Sequence, residues 1–207
     1  MKIVVAGAGG HGKVVLDALL ASGLVPDDIV GFSDENPAVV GTVVMGYPVF
    51  AGLEAIGLAG EVRVAMGIGG IAARRRCFER ARTLGYEVIS VIHPRAVIGR
   101  GCALGVGVVV MANVVINADT SIGDNVILNT ASSVDHDCRI GNHVHLGPGV
   151  RIAGGVSIGD ETLLGTGAIV IPGMSIGERS VVGAGAVVVR NIGPACVAVG
   201  VPARVIK

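Results

Sequence analysis

The chain has 207 residues, enough for one sizeable domain or two small ones with a buried core. Sixteen Lys and Arg balance sixteen Asp and Glu, and aromatic residues make up 2% with no Trp, so nothing points to nucleic acid or an anionic membrane surface. A hydrophobic fraction of 51% and a mean hydropathy of +0.73 raise the question of membrane insertion, but the uncharged run from Gly101 to Ala118 is broken by glycines and by Asn113 and Asn117.

Lys2 to Ala6 reads as a short apolar strand leading into Gly7-Ala8-Gly9-Gly10-His11-Gly12 and a helical stretch to about Leu20. These glycines and His11 interrupt the apolar stretch a signal peptide would need, so a cytoplasmic protein is expected. Further strands are expected at Ile29–Ser33, Val62–Met66 and Glu87–Val91, with a charged helix around Ala72–Leu84. The alternation argues for a small parallel α/β sheet, a Rossmann-like domain over residues 1–91. Gly7, Gly9 and Gly12 satisfy G-x-G-x-x-G between a strand and a helix, which suits backbone N–H groups brought against a phosphate at a helix N-terminus. The segment also imitates G-x-x-x-x-G-K, but Val14 follows Lys13 and has no hydroxyl for Mg²⁺, which argues against a nucleoside triphosphatase. About ninety residues are too few for a full dinucleotide fold. Asp34, just after the second strand, either accepts hydrogen bonds from a ribose or base or is a solvated turn acid.

From Ile98 onward every sixth residue is Ile, Leu or Val: Ile98, Leu104, Val110, Ile116 and so on to Val188. Four places after each stands a small or medium residue, from Cys102 to Ile192, so both registers are expected to point inward. A period of six fits neither a helix nor an alternating strand; it suits a short strand and a corner repeated around a prism, three units to a coil. Residues from about 97 to 192 are therefore expected to form a left-handed parallel β-helix, within a domain spanning 92–207. Glycines after the inward aliphatic, among them Gly123 and Gly141, are expected to serve tight backbone geometry. The four cysteines form no C-x-x-C pair. Cys102 and Cys138 share a repeat position too far apart for a disulfide.

Within the repeat, Asn129, Thr130, Asp135, His136, Asp137, His143 and His145 concentrate polar groups, and three of the chain's five histidines lie there. Such a cluster suits a general base oriented by a carboxylate, a metal site, or three histidines on an outer face. A zinc site of the γ-carbonic anhydrase type needs a histidine two coils earlier. Arg100 and Val109 stand at those places before His136 and His145, so no metal is expected.

Four segments together resemble bacterial nucleotide-sugar N-acetyltransferases of the hexapeptide-repeat superfamily. They are Gly7 to Gly12, Ile92-His93-Pro94, Asn129-Thr130 with Val134-Asp135-His136-Asp137-Cys138, and the tail Gly200-Val201-Pro202-Ala203. Members acetylate a 4-amino sugar carried on UDP (the bacillosamine route) or GDP (the perosamine route), and sialic acid O-acetyltransferase-like proteins are close relatives. The resemblance covers essentially the whole chain. It implies a homotrimer with active sites between neighbouring β-helices, acetyl-CoA as co-substrate, and an N-terminal domain that holds the nucleotide sugar. It places the catalytic base on His136 and its acidic partner on Asp137. Acetyl-CoA contacts fall on His145, Gly154, Thr166 and Ala184, and nucleotide-sugar contacts on Gly9, Gly10, His11, Asp34, Glu35, Gly67 and Asn129. The chain departs from the pattern at Gly67-Ile68-Gly69-Gly70, where relatives often place an Asn. Sugar O-acetylation, a non-catalytic nucleotide-sugar sensor and a purely structural solenoid are the alternative readings.

Overall fold

A computed structural model describes residues 2–57 and 60–207. The chain divides into two compact units, Met1–Pro94 and Arg95–Lys207.

The first unit runs β1 (Lys2–Ala6), α1 (Gly10–Ala21), β2 (Ile29–Asp34), β3 (Val43–Val44), β4 (Tyr47–Ala51), β5 (Val62–Met66), α2 (Ile71–Thr83) and β6 (Val88–Ile89). Its sheet has the order β3-β4-β2-β1-β5-β6, parallel except for the β3–β4 hairpin. Val4, Ala6, Val64 and Met66 from the central strands are buried against Phe78 and Ala81 of α2. The apolar runs of β1 and β5 follow from this position, since a central parallel strand is covered on both faces. Because β2 and β5 flank β1 on opposite sides, the chain changes direction there, and a crevice opens at the carboxyl ends of β1 and β5. The β3–β4 hairpin was not expected. Pro48 within β4 argues against a strand, and the turn is Met45-Gly46, with φ of 50° and 85°, in place of the more readable Asn-Gly.

The second unit is a left-handed parallel β-helix, as the repeat implied. Up to Val187–Val188, two-residue strands stack in three parallel sheets, each strand pairing with the one a full coil later: Val109 with Ile127, Ile127 with His145, His145 with Leu163. For orientation we call the sheet containing His145–Leu146 face A, that containing Arg151–Ile152 face B, and that containing Ser157–Ile158 face C. The inward aliphatics Ile116, Leu128, Leu146 and Leu164 are fully buried. Among the inward hydroxyls, Thr120 Oγ1 donates to the Asp135 carbonyl at 2.8 Å and accepts from the Cys138 N–H at 3.2 Å, whereas the buried Ser132 Oγ has no hydrogen-bond partner among the described residues. All four cysteines are free thiols.

The glycines after the inward aliphatic serve a purpose other than the one expected. A Cβ on Gly123 would lie 2.8 Å from the carbonyl carbon of Gly141 in the next coil, so these glycines let the coils stack. The left-handed backbone occurs two residues later, where φ is positive at Asn125, Ala131, Asp137, His143 and Glu161 as well as at glycines such as Gly149. Asn and Asp tolerate that conformation better than most residues. Among the described residues no helix is long and apolar enough to cross a membrane.

Candidate active site

The solenoid separates the three clustered histidines. His136 lies on the corner between faces B and C, where the Asp137 N–H donates to the Ala118 carbonyl and the Gly155 N–H to the His136 carbonyl. His143 lies on the corner between faces C and A, with Nδ1 2.9 Å from Asn125 Nδ2. His145 is on the strand of face A, half-buried between Ile127 and Leu163. Three histidines close in sequence thus serve three places around the prism.

Around His136 the groups form one constellation. Its Nδ1 is 2.7 Å from Asp137 Oδ2. Asp135 Oδ1 accepts from the His136 backbone N–H at 2.8 Å and from Asn117 Nδ2, one coil earlier, at 2.7 Å. The hydrogen bond to Asp137 first, and the charge of Asp135 second, raise the imidazole above its ordinary pKa. The bonds from Asn117 and from the His136 N–H lower that of Asp135, which stays ionised. With Nδ1–H donating to Asp137, the lone pair is on Nε2, which lies over Gly154: a Cβ there would be 2.7 Å from Nε2 and from Cε1. Only glycine leaves that space.

Gly154 also presents a bare donor. On the corner between faces C and A, each coil caps the previous coil's backbone: Asp124 Oδ1 accepts from the Val106 N–H, Asn142 Oδ1 from Asp124, and Asp160 Oδ1 from Asn142. Asp135 does the same for the residue after it. One coil on, Ala153 has no acceptor to offer, and among the described residues the Gly154 N–H has no hydrogen-bond partner. An imidazole held at Nδ1 by a carboxylate therefore sits beside an N–H able to receive an oxyanion.

The remaining implied contacts lie elsewhere on the coil. Asn129, whose Oδ1 caps the Thr130 N–H at 2.8 Å, shares the corner between faces A and B with the exposed Thr166 and Ala184. That corner borders face B on the side opposite to His136. Asp135 carried no role of its own in the sequence; an Asn and an Asp eighteen residues apart on an 18-residue coil was the available signal.

In the first unit, glycines divide into two kinds. A Cβ on Gly12 would meet the Gly7 carbonyl oxygen at 1.9 Å and one on Gly67 the Gly12 Cα at 2.8 Å, so Gly12 and Gly67 pack α1 onto β1 and β5. Gly9 and Gly10 face open space, and Gly9 caps α1 with no side-chain acceptor and no acid in the first turn. The helix N-terminus is thus available to an anion. His11, on that first turn, is lowered to about 4 by burial and then by the Arg74 charge, and is neutral near pH 7. Arg74 is fully buried, itself lowered to about 10 by burial, and its Nη1 donates to the Gly69 carbonyl at 2.8 Å and to that of Ile68 at 3.3 Å. Asp34 ties the two loops together, Oδ2 accepting from the Ala8 N–H at 2.8 Å and Oδ1 from Asn36 at 2.9 Å. Beside it a cleft of about 510 Å³ opens at the carboxyl ends of the strands, with Gly7, Asp34, Glu35, Leu53, Ile68 and Arg76 in its walls. Gly67 is buried behind Ile68 and does not line it.

Residues 2–81 match the family described as PglD N-terminal domain, residues 119–154 bacterial transferase hexapeptide (six repeats), and residues 155–190 hexapeptide repeat of succinyl-transferase. Comparison with curated proteins gave no match. Among solved structures, PerB from Caulobacter crescentus in complex with CoA and GDP-perosamine is 43% identical, with 100% of this chain and 98% of that one covered and a TM-score of 0.92. The acetyltransferase domain of PglB from Neisseria gonorrhoeae FA1090, in complex with acetyl coenzyme A, is 34% identical over 99% and 98% of the two chains, TM-score 0.90. WeeI from Acinetobacter baumannii AYE is 29% identical over 100% of both, TM-score 0.92.

Proposed function

The chain belongs to the hexapeptide-repeat sugar N-acetyltransferases that carry a PglD-type N-terminal domain, and from that membership we propose the reaction and the residues that perform it. The enzyme transfers acetyl from acetyl-CoA to the amino group of a nucleotide-linked 4-amino-deoxy sugar. The observation that carries the site assignment is the imidazole of His136, held by Asp137 at Nδ1 and open at Nε2 beside the bare N–H of Gly154.

The sugar amine attacks the thioester carbonyl carbon while Nε2 of His136 takes its proton. The carbonyl oxygen, now negative, is received by the Gly154 N–H. As the C–S bond breaks, the proton on Nε2 passes to the departing CoA sulfur, and His136 returns to its starting tautomer. Asp137 holds the ring and stabilises the imidazolium between the two transfers. No covalent acyl-enzyme is needed.

The nucleotide is held by the first unit, its diphosphate at the N-terminus of α1 by Gly9, Gly10 and the neutral His11. The His136 side chain is 61% exposed in one chain, and Thr166, Ala184 and His145 lie beyond the far border of face B. Acetyl-CoA can touch both sets when the His136 corner of one copy packs against the Thr166–Ala184 corner of the next, which three copies around an axis provide. We place this homotrimer in the cytoplasm, where acetyl-CoA is made.

Incubation with acetyl-CoA and a panel of UDP- and GDP-linked amino sugars, read by mass spectrometry, should show a gain of one acetyl group on an amine. Acetylation of a hydroxyl, or nucleotide binding without transfer, would overturn the assignment. Light scattering on the purified protein should report a trimer, and an active monomer would refute the shared site.

A further inference from the structure

The cleft beside Asp34 has a wall composition that the diphosphate and sugar contacts leave unused. Its floor and sides are apolar or bare backbone at Gly7, Gly52, Leu53, Ile68 and Ala73, surfaces suited to the two faces of a flat ring. Positions 73, 76, 77 and 80 follow the i, i+3, i+4, i+7 spacing of one helical face, so α2 turns Arg76 into the cleft with Cys77 beside it. Glu35 stands on the opposite wall, at the end of β2. Most other charges here are already committed: Asp34 to two backbone N–H groups, and Glu54 to Arg80 through Nε at 2.6 Å. Among the described residues, Glu35 and Arg76 make no ion pair or side-chain hydrogen bond. The Cys77 thiol is pushed up to about 11 by burial and then by the charge of Glu35, with Asp34 and Glu54 behind it.

We infer that this cleft holds the base of the nucleotide sugar and that the base is guanine, with Glu35 on its N1–H and 2-amino edge and Arg76 on its O6 and N7 edge. The inference rests on the nucleotide-sugar reading and names the carrier, a GDP sugar.

Guanine alone among the common bases offers two adjacent donors on its pairing edge, which one carboxylate accepts together. Its neighbouring O6 and N7 form the acceptor pair that a guanidinium meets with two parallel N–H donors. Uracil and thymine place carbonyl oxygens on both sides of their single N3–H, so a carboxylate facing it meets repulsion. Adenine and cytosine put a ring-nitrogen lone pair beside the amino donor, with the same result. An unpaired carboxylate and an unpaired guanidinium across an apolar slot therefore select guanine.

Calorimetry on the full chain with GDP, UDP, IDP and 7-deaza-GDP tests this atom by atom. IDP lacks the 2-amino group and 7-deaza-GDP lacks N7. GDP should bind about 5- to 100-fold more tightly than UDP, the discrimination expected of bidentate base contacts, with IDP and 7-deaza-GDP in between. Glu35→Gln should weaken GDP and erase its advantage over IDP, and Arg76→Met should erase its advantage over 7-deaza-GDP. Both positions are exposed, so both variants should fold, and the ligand series on the unaltered protein stands without them. UDP binding as tightly as GDP would overturn the guanine assignment while leaving the nucleotide-sugar reading intact. A GDP-to-IDP ratio unchanged by Glu35→Gln, or a GDP-to-7-deaza-GDP ratio unchanged by Arg76→Met, would overturn the role of that residue. No binding of either diphosphate would remove the nucleotide-sugar reading itself.

Discussion

The two units make their sites in opposite ways. In the α/β unit the cleft comes from topology: β2 and β5 leave β1 in opposite directions, and the carboxyl ends of the strands part there whatever the side chains are. In the solenoid every coil repeats the one before, so topology offers no special place, and the candidate site is marked out only by side chains that differ from one coil to the next. Asp124, Asn142 and Asp160 keep the backbone capped along one corner, whereas on the His136 corner Asn117 bonds to the Asp135 side chain, Asp135 caps only the His136 N–H, and Ala153 offers the Gly154 N–H no cap.

The comparison breaks first at His136. His136→Asn keeps polarity and approximate size, and acetyl-CoA binding by calorimetry should survive, while kcat should fall by about 10²–10⁴, the usual worth of a general base. If that variant turned over at near wild-type rate while His145→Asn was inactive, the base would lie on face A and the His136 corner would have no catalytic part.

A finer test restores the missing cap. Ala153→Asn supplies the acceptor that Asn129 and Asn142 provide elsewhere, and its Oδ1 should engage the Gly154 N–H. If that donor receives the oxyanion, kcat should drop by about 10²–10³ with the melting temperature held or raised. An unchanged kcat, measured at saturating acetyl-CoA, would assign the oxyanion to another donor.

Sequence made the solenoid legible because burial there follows the repeat, with every sixth residue from Val110 to Val188 buried. Asp137 could be paired with His136 because the two are adjacent. Arg74-Arg75-Arg76 shows where sequence stops informing: three identical residues in a helix that reads as charged. Each step of about 100° sends them apart. Arg74 is buried against the carbonyls of Ile68 and Gly69, Arg75 pairs with Glu79 on the surface, and Arg76 enters the cleft. The β3–β4 hairpin escaped for a related reason, since its turn takes the left-handed conformation at Met45, a residue that does not advertise it.

In the first unit the two kinds of glycine can be separated by substitution. Gly12→Ala drives a methyl into the Gly7 carbonyl, so it should lower the melting temperature and disturb every ligand. Gly10→Val adds bulk where a Cβ meets nothing within 4 Å, and the fold should persist. Nucleotide-sugar binding should then weaken by at least about tenfold, the scale of losing one charge-assisted hydrogen bond to phosphate, with acetyl-CoA affinity unchanged. Equal losses for both ligands in Gly10→Val would mean that the open glycines matter to folding after all.

The smallest effect expected is that of Asp137→Asn, and it distinguishes orientation from basicity. Asp137 has a φ of 57°, a conformation Asn also tolerates, so the corner should form unchanged, and the Asn carbonyl oxygen can still accept from Nδ1–H. What is lost is the negative charge. The bond to the charged Asp137 is the first cause of the raised imidazole pKa, so replacing that acceptor with a neutral one brings the pKa down. His136 must be neutral to act as a base, so the acid limb of kcat/KM lies at its pKa in the free enzyme and should move to lower pH in the variant, though Asp135 keeps it from falling the whole way. On the plateau above that limb the rate should drop on the order of tenfold, because a weaker base and a looser ring accept the proton less well. Relative to its own plateau, the variant should therefore retain more activity in mild acid than the parent does. An acid limb that stays in place in Asp137→Asn would show that Asp137 orients the ring without tuning it, and that the basicity of His136 comes from Asp135.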